Sequence, residues 1–219
     1  LGPSSTLEKL GIVLHGIRLT ENSAASAYAL FAGVDTDHNG QLGNQAGIVA
    51  NLTAAGDAAV ALTDTYSEYN GGRGASITLN AGMDASLFAG DLAADDLDLI
   101  SGYSPDLGPL FDLIPRGNVV FSHNEGAGLY ADLTSANGSA NLGIDGASAG
   151  DNGNAGYNLT LNALNGNAIA GIENATALDN DGNGVSLTLN GGGGIADAWL
   201  ERVTASGNGA NGLNLVETY

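Results

Sequence analysis

The chain has 219 residues, 43% of them hydrophobic, with 35 Gly against four Pro, so it can bury a sizeable core and its glycines punctuate ordered structure rather than flexible linker. Twenty-four acidic residues face only five basic ones, Lys9, Arg18, Arg73, Arg116 and Arg202; the resulting charge of −19 disfavours nucleic acid and anionic membrane surfaces as partners, while divalent cations and neutral glycans stay compatible. There is no Cys, which excludes disulfides, thiolate metal sites and a Cys nucleophile, and no apolar run approaches the ~18 residues that would span a membrane.

Residues 1–43 lack the pattern found later in the chain. "SSTLEKL" has a capping-box start, with Ser5 and Glu8 three apart, and "IVLHGIRL" alternates like a strand over 11–20. The segment is therefore expected to be an irregular or capping piece continuous with the repeats beyond residue 43. At its end, "DTDHNGQLG" places Asp35, Asp37 and Asn39 before Gly40 at EF-hand-like spacing, which makes these three calcium candidates; the twelfth position is Ala46 where a bidentate Glu should stand.

From residue 44 onward a repeat emerges. The Gly preceding each alternating apolar run falls at Gly47, Gly74, Gly102, Gly128, Gly156, Gly184 and Gly212, with intervals of 26 to 28 residues. Behind each Gly the columns at one, three and five residues are mostly apolar, as in Ile48, Ala50 and Leu52 or Val185, Leu187 and Leu189, with polar residues between, as in Ser186 and Thr188. A period of two predicts strands with one buried face. Tyr157 falls on the buried column and Tyr130 on the outward one.

Four residues before the Gly stand Asn70, Asp98, Asn124, Asn152, Asn180 and Asn208. Stacked amides can both donate and accept, and Asn tolerates left-handed backbone, so this column is expected to form a structural ladder at a corner. A further strand precedes the corner: Leu62, Ile144, Ile172 and Leu200 lie twelve before their Gly, and Phe121, Ala149, Ala177 and Ala205 seven before. Across 81–117 the columns degrade around Asp95 and Asp96, but two periods still fit between Gly74 and Gly128. The stretch is expected to be distorted coils with protruding loops rather than an insertion, and protruding loops are where contacts concentrate. The last run, "LNLVETY", stops inside a strand with no cap, so the chain is expected to be a piece of a longer protein.

Each repeat is too short for a strand plus a long helix and cannot bury its apolar face alone, whereas successive coils stacked ~4.8 Å apart can. The fold class is therefore all-β: a parallel β-helix, or β-solenoid, with about 28-residue coils over 44–219. Segments such as "LERVTASGNGANGLNLV", "GIENATALDNDGNGVSLTLN" and "NVVFSHNEGAGLYADL" resemble right-handed parallel β-helix repeat proteins, the broad group that includes pectate-lyase-like enzymes, tailspikes and bacterial surface solenoids. The resemblance is good over 118–219 and tolerable over 44–80. It implies a right-handed coil and says little about activity.

Candidate chemistry is sparse. "DNDGNG" adds Asp179 and Asp181 as calcium candidates, although Asn180 and Gly184 already belong to structural columns. Pectate-lyase-like chemistry needs a basic group to take a proton, and Arg73, Arg116 and Arg202 fall at unrelated offsets. Stacking brings many carboxylates, such as Asp151 and Asp179, as close as a glycosidase pair, so proximity alone discriminates little. His15, His38 and His123 have no metal-ligand spacing. Tyr130 is the candidate for glycan stacking. The outward Ser/Thr rows suggest ice binding as a minor alternative, interrupted by Asp106, Tyr130 and Asp132.

The reading that results is a non-catalytic structural or adhesive β-solenoid segment of a larger exported, bacterial-type cell-surface protein. Its expected partners are the rest of a parent chain and surface glycans or a protein. The alternative is a carbohydrate-binding or polysaccharide-cleaving β-helix, a lyase or glycoside hydrolase.

Overall fold

A computed structural model describes residues 16–39, 45–90 and 117–219. In these the chain forms seventeen strands and no helix. They are β1 (Ile17–Ser23), β2 (Ala27–Asp37), β3 (Ile48–Ala54), β4 (Ala58–Glu68), β5 (Ala75–Ala81), β6 (Ala85–Gly90), β7 (Val119–Ser122), β8 (Leu129–Ser135), β9 (Ala140–Asp145), β10 (Ala147–Gly150), β11 (Tyr157–Ala163), β12 (Ala168–Glu173), β13 (Thr176–Leu178), β14 (Val185–Gly191), β15 (Ala196–Glu201), β16 (Thr204–Ser206) and β17 (Leu213–Thr218).

All pairings are parallel and in register, and they stack the chain into a β-solenoid of about six coils. One face is the seven-stranded sheet β1-β3-β5-β8-β11-β14-β17. The other two legs of each coil form a second sheet. It is continuous through the long strands β2 and β4, then divides into a wing of β6, β9, β12 and β15 and a wing of β7, β10, β13 and β16. The alternation read from the sequence sets which side chains enter the coil. Ile48, Ala50, Leu52, Leu129, Leu133, Leu159, Leu187 and Leu189 are buried, and Tyr157 is fully buried among them. The predominance of Ala on the other wings, with Ala147, Ala149, Ala175 and Ala177 all buried, lets the sheets approach closely.

Three differences from the expected organisation have physical reasons. First, the regular solenoid already includes β1, well ahead of residue 44. Gly16 precedes Ile17 as Gly47 precedes Ile48, and β1 pairs in register with β3, but 31 residues instead of 28 separate the two coils and hide the repeat.

Second, β5 pairs directly with β8, Ala75 with Leu129 and Leu79 with Leu133, so one step between neighbouring strands of this sheet spans 54 residues and counts as one coil rather than two. The start of the expected distorted stretch is regular, since β6 pairs with both β4 and β9. Gly90 pairs with Asp145 and Val119 with Ala147. The extra length, about one coil, is therefore inserted between β6 and β7, where its near-equality to the repeat mimics a further period. Asp95, Asp96, Asp98, Gly102, Asp106 and Arg116 lie outside the described residues, as do Lys9, His15 and Gly40.

Third, among the described residues left-handed backbone falls on no ladder Asn and, of the turn glycines, only on Gly16, at φ 70°. It falls on the residue just before the Asn: His38, Tyr69, His123, Asp151 and Asp179 have φ of 53 to 56°, and Gly207 has 69°. A second left-handed column, Gly33, Asp64, Gly146, Asn174 and Arg202, bends the other corner. The turn glycines answer a different need. A Cβ on Gly128 would lie 2.7 Å from the Gly156 carbonyl oxygen and 2.9 Å from Asn152 Nδ2, so a hydrogen is all that fits between stacked coils.

Candidate ligand face and its groove

The corner carrying the Asn column is fixed by hydrogen bonds. Asn70 Nδ2 donates to Asn124 Oδ1 at 2.9 Å, Asn124 to Asn152 at 3.0 Å, Asn152 to Asn180 at 2.9 Å and Asn180 to Asn208 at 2.9 Å. Each backbone N–H donates to the same oxygen, and the second amide hydrogen reaches a carbonyl of the preceding coil, as Asn152 does to Phe121. The ladder passes straight from Asn70 to Asn124. At its N-terminal end the next rung is Asn39, whose Nδ2 donates to Asn70 Oδ1 at 2.9 Å. Spacing alone makes this residue a calcium candidate. Its amide instead serves the ladder: Asp35 and Asp37 lie on the exposed side of β2, and the left-handed backbone at His38 turns Asn39 inward instead of leaving it on their side.

Asp179 and Asp181 flank Asn180 in the same way. Asp179 occupies the left-handed corner and Asp181 the turn, where its backbone N–H donates to Asn152 O. Among the described residues no group of three or more His, Asp or Glu side chains converges as a metal site. His38, Tyr69 and His123, which look unrelated in the sequence, form a column. Their rings stack with centroids 5.1 and 4.5 Å apart, and His38 Nδ1 lies 2.9 Å from Asp37 while His123 Nε2 lies 3.6 Å from Asp151. The signal in the sequence is their shared position before a ladder Asn, masked by the longer coil intervals at that end.

The seven-stranded face is chemically distinct from the rest of the molecule. Its outward rows are Asn, Ser and Thr almost throughout, such as Asn51, Thr78, Thr160 and Thr188 in one register column, and only Arg18 and Asp132 among the outward positions of its strands are charged. Most of the described carboxylates sit on the corners and on the other sheet. Asp145, Glu173 and Glu201 align there as a column, held by Arg202, which pairs with Glu173 at 3.3 Å and with Glu201, while Asn174 donates to Asp145 at 2.6 Å.

Tyr130 lies half-buried on this face, and the Arg73 guanidinium covers its ring 3.6 Å from the centroid. Arg73 also donates from Nη1 to Ser76 Oγ at 3.1 Å. One face of the ring expected to stack on a sugar is thus used to hold an arginine. At the N-terminal end of the same sheet, a groove of about 690 Å³ is lined by Arg18, Val49, Asn51, Arg73 and Ser76, together with glycines 16, 72 and 126.

Comparison with protein-family models, with curated proteins and with solved structures returns no match.

Proposed function

We propose that this chain is a rigid, non-catalytic solenoid segment of an exported cell-surface protein, which presents its flat seven-stranded face to surface glycans. Kinship with bacterial surface solenoids of the pectate-lyase-like β-helix group belongs to the same reading. The observation that carries it is the segregation of charge. A chain of net charge −19 keeps the outward rows of one whole sheet nearly free of carboxylates and fills them with amides and hydroxyls in straight register. Such rows offer donors and acceptors at the ~4.8 Å strand spacing, which suits the hydroxyls of an extended sugar chain without the desolvation cost of buried charge. The continuous core and amide ladder would make this surface stiff, so little ordering entropy is lost on contact.

A glycan array probed with the intact chain, with and without calcium, tests the proposal. Specific binding that survives chelation, with the sugar recovered intact, is expected. Release of shortened or unsaturated sugar products would overturn the non-catalytic reading in favour of a polysaccharide-cleaving β-helix. Absence of any glycan binding would overturn the glycan partner.

A further inference from the structure

We infer that the groove between Arg18 and Arg73 is a binding site for acidic sugars, carrying sulfate esters or carboxylates; the inference rests on the glycan-facing reading and assigns it a location and a charge. The chain has five basic residues against 24 acidic ones, so an arginine left without a carboxylate partner stands out. Of the arginines described, Arg202 is tied to Glu173 and Glu201. Among the described residues neither Arg18 nor Arg73 has such a partner, and both open onto the same groove, whose lining contains no carboxylate.

The register fixes their separation. Arg18 pairs with Val49, and Val49 with Ser76, so the strand positions of Arg18 and of the serine that holds Arg73 are two strand spacings, roughly 10 Å, apart. Arg73 is oriented before any ligand arrives, because Tyr130 supports the guanidinium face and Ser76 takes one N–H. Its remaining N–H donors, and all those of Arg18, suit the fork geometry with which guanidinium grips a carboxylate or sulfate. Between the two charges lie Val49, an apolar floor for a sugar ring, and Asn51, an amide for its hydroxyls. A long polyanion would be repelled by the acidic remainder of the molecule, whereas a short sugar with spaced acidic groups meets only the groove.

Isothermal titration of the intact chain with a sulfated heparin hexasaccharide, a carboxylated hyaluronan hexasaccharide and neutral cellohexaose tests this. At least one of the two acidic sugars should bind, more tightly than the neutral one, and the pattern distinguishes sulfate from carboxylate recognition. Affinity should fall with added salt, and by about tenfold or more in Arg18→Gln and in the Arg18→Gln/Arg73→Gln pair. Arg202→Gln, which removes the same charge from the opposite side, should leave affinity unchanged. Arg18 is exposed and makes no hydrogen bond to a described side chain, so its variant keeps the test readable if Arg73→Gln disturbs the corner. Failure of both acidic sugars to bind, binding unchanged in the double variant, or equal binding of a hexaglutamate peptide would overturn the assignment. Tight binding of cellohexaose by wild type and variants alike would overturn the groove while leaving the glycan-facing reading in place.

Discussion

At Gly128 and Tyr157 the solenoid places opposite demands on a single residue. Gly128 stands where a Cβ would come within 2.7 Å of the next coil's carbonyl, whereas Gly171 on β12 has open space around the same position. Gly128→Ala should therefore cost about 3 kcal/mol through forced separation of coils, and Gly171→Ala should be neutral or gain about 0.5 kcal/mol; chemical denaturation of both variants checks the contrast. Tyr157 is fully buried, and its hydroxyl has no hydrogen-bond partner among the described residues; burial pushes the phenol pKa far above its usual range. Tyr157→Phe removes an unsatisfied polar group and keeps the ring, so the melting temperature should hold or rise, by an amount equivalent to about 1 kcal/mol. A loss of that size would show that the hydroxyl is satisfied in solution. The buried column that contains Tyr157 is legible from alternation alone. The reason for Gly128 is not, because sequence shows that a small residue recurs and is silent on whether backbone angle or the space between coils demands it.

At the level of turns and strands, a second ladder lies between the seven-stranded sheet and the next wing. Ser26 Oγ accepts from the Asp57 N–H at 3.0 Å, Asp57 Oδ1 from Asp84 N–H at 3.1 Å, and Asp84 Oδ1 from Ser139 N–H at 2.7 Å. Partial burial raises the Asp84 pKa above its ordinary value; the Ser139 N–H opposes this, and the nearby Asp57 charge adds to it. A carboxyl whose pKa is raised by folding binds its proton more tightly in the folded state. Stability therefore falls as pH rises from the unfolded pKa through the folded one, and stays at the lower value above it. Asp84→Asn keeps the acceptor and removes the charge, so it should stabilise the fold at pH 7 by at most about 1 kcal/mol once solvent screening is allowed for. The gain should fade toward about pH 3, where the wild-type carboxyl is protonated; denaturant midpoints across that range check it, and a gain independent of pH would contradict the electrostatic cause. This ladder is hard to see in the sequence because its members change type, Ser to Asp to Ser, while the Asn column keeps one. The coil count misleads for a related reason: an insertion of about one repeat keeps the period of the glycines, and only the pairing of β5 with β8 reveals it. The calcium spacing at Asp35, Asp37 and Asn39 misleads because the left-handed corner at His38 breaks the strand's alternation and sends Asn39 to the other side of the chain.

On the scale of the whole molecule, the stacked coils separate three jobs that a globular domain would mix. Identical neighbours build the core, amide ladders tie the corners, and one sheet is left with an almost uncharged outer surface while acidic groups gather elsewhere. The glycan-facing role is argued from that surface, which is only partly legible in the sequence: the Ser and Thr rows are visible there, but the isolation of Arg18 and Arg73 from any described carboxylate is a property of the assembled coils. Both the face and its groove rest on the strand order of the seven-stranded sheet, in which β5 and β8 are direct neighbours. The absence of Cys makes a clean spectroscopic ruler available. Spin labels at Thr20→Cys and Thr188→Cys, outward positions of one register column, are five strand spacings apart in the order β1-β3-β5-β8-β11-β14. Pulsed dipolar spectroscopy should give one narrow distance distribution centred near about 24 Å; a centre near about 29 Å, the value for one additional coil between β5 and β8, or a broad distribution, would contradict the stacked order.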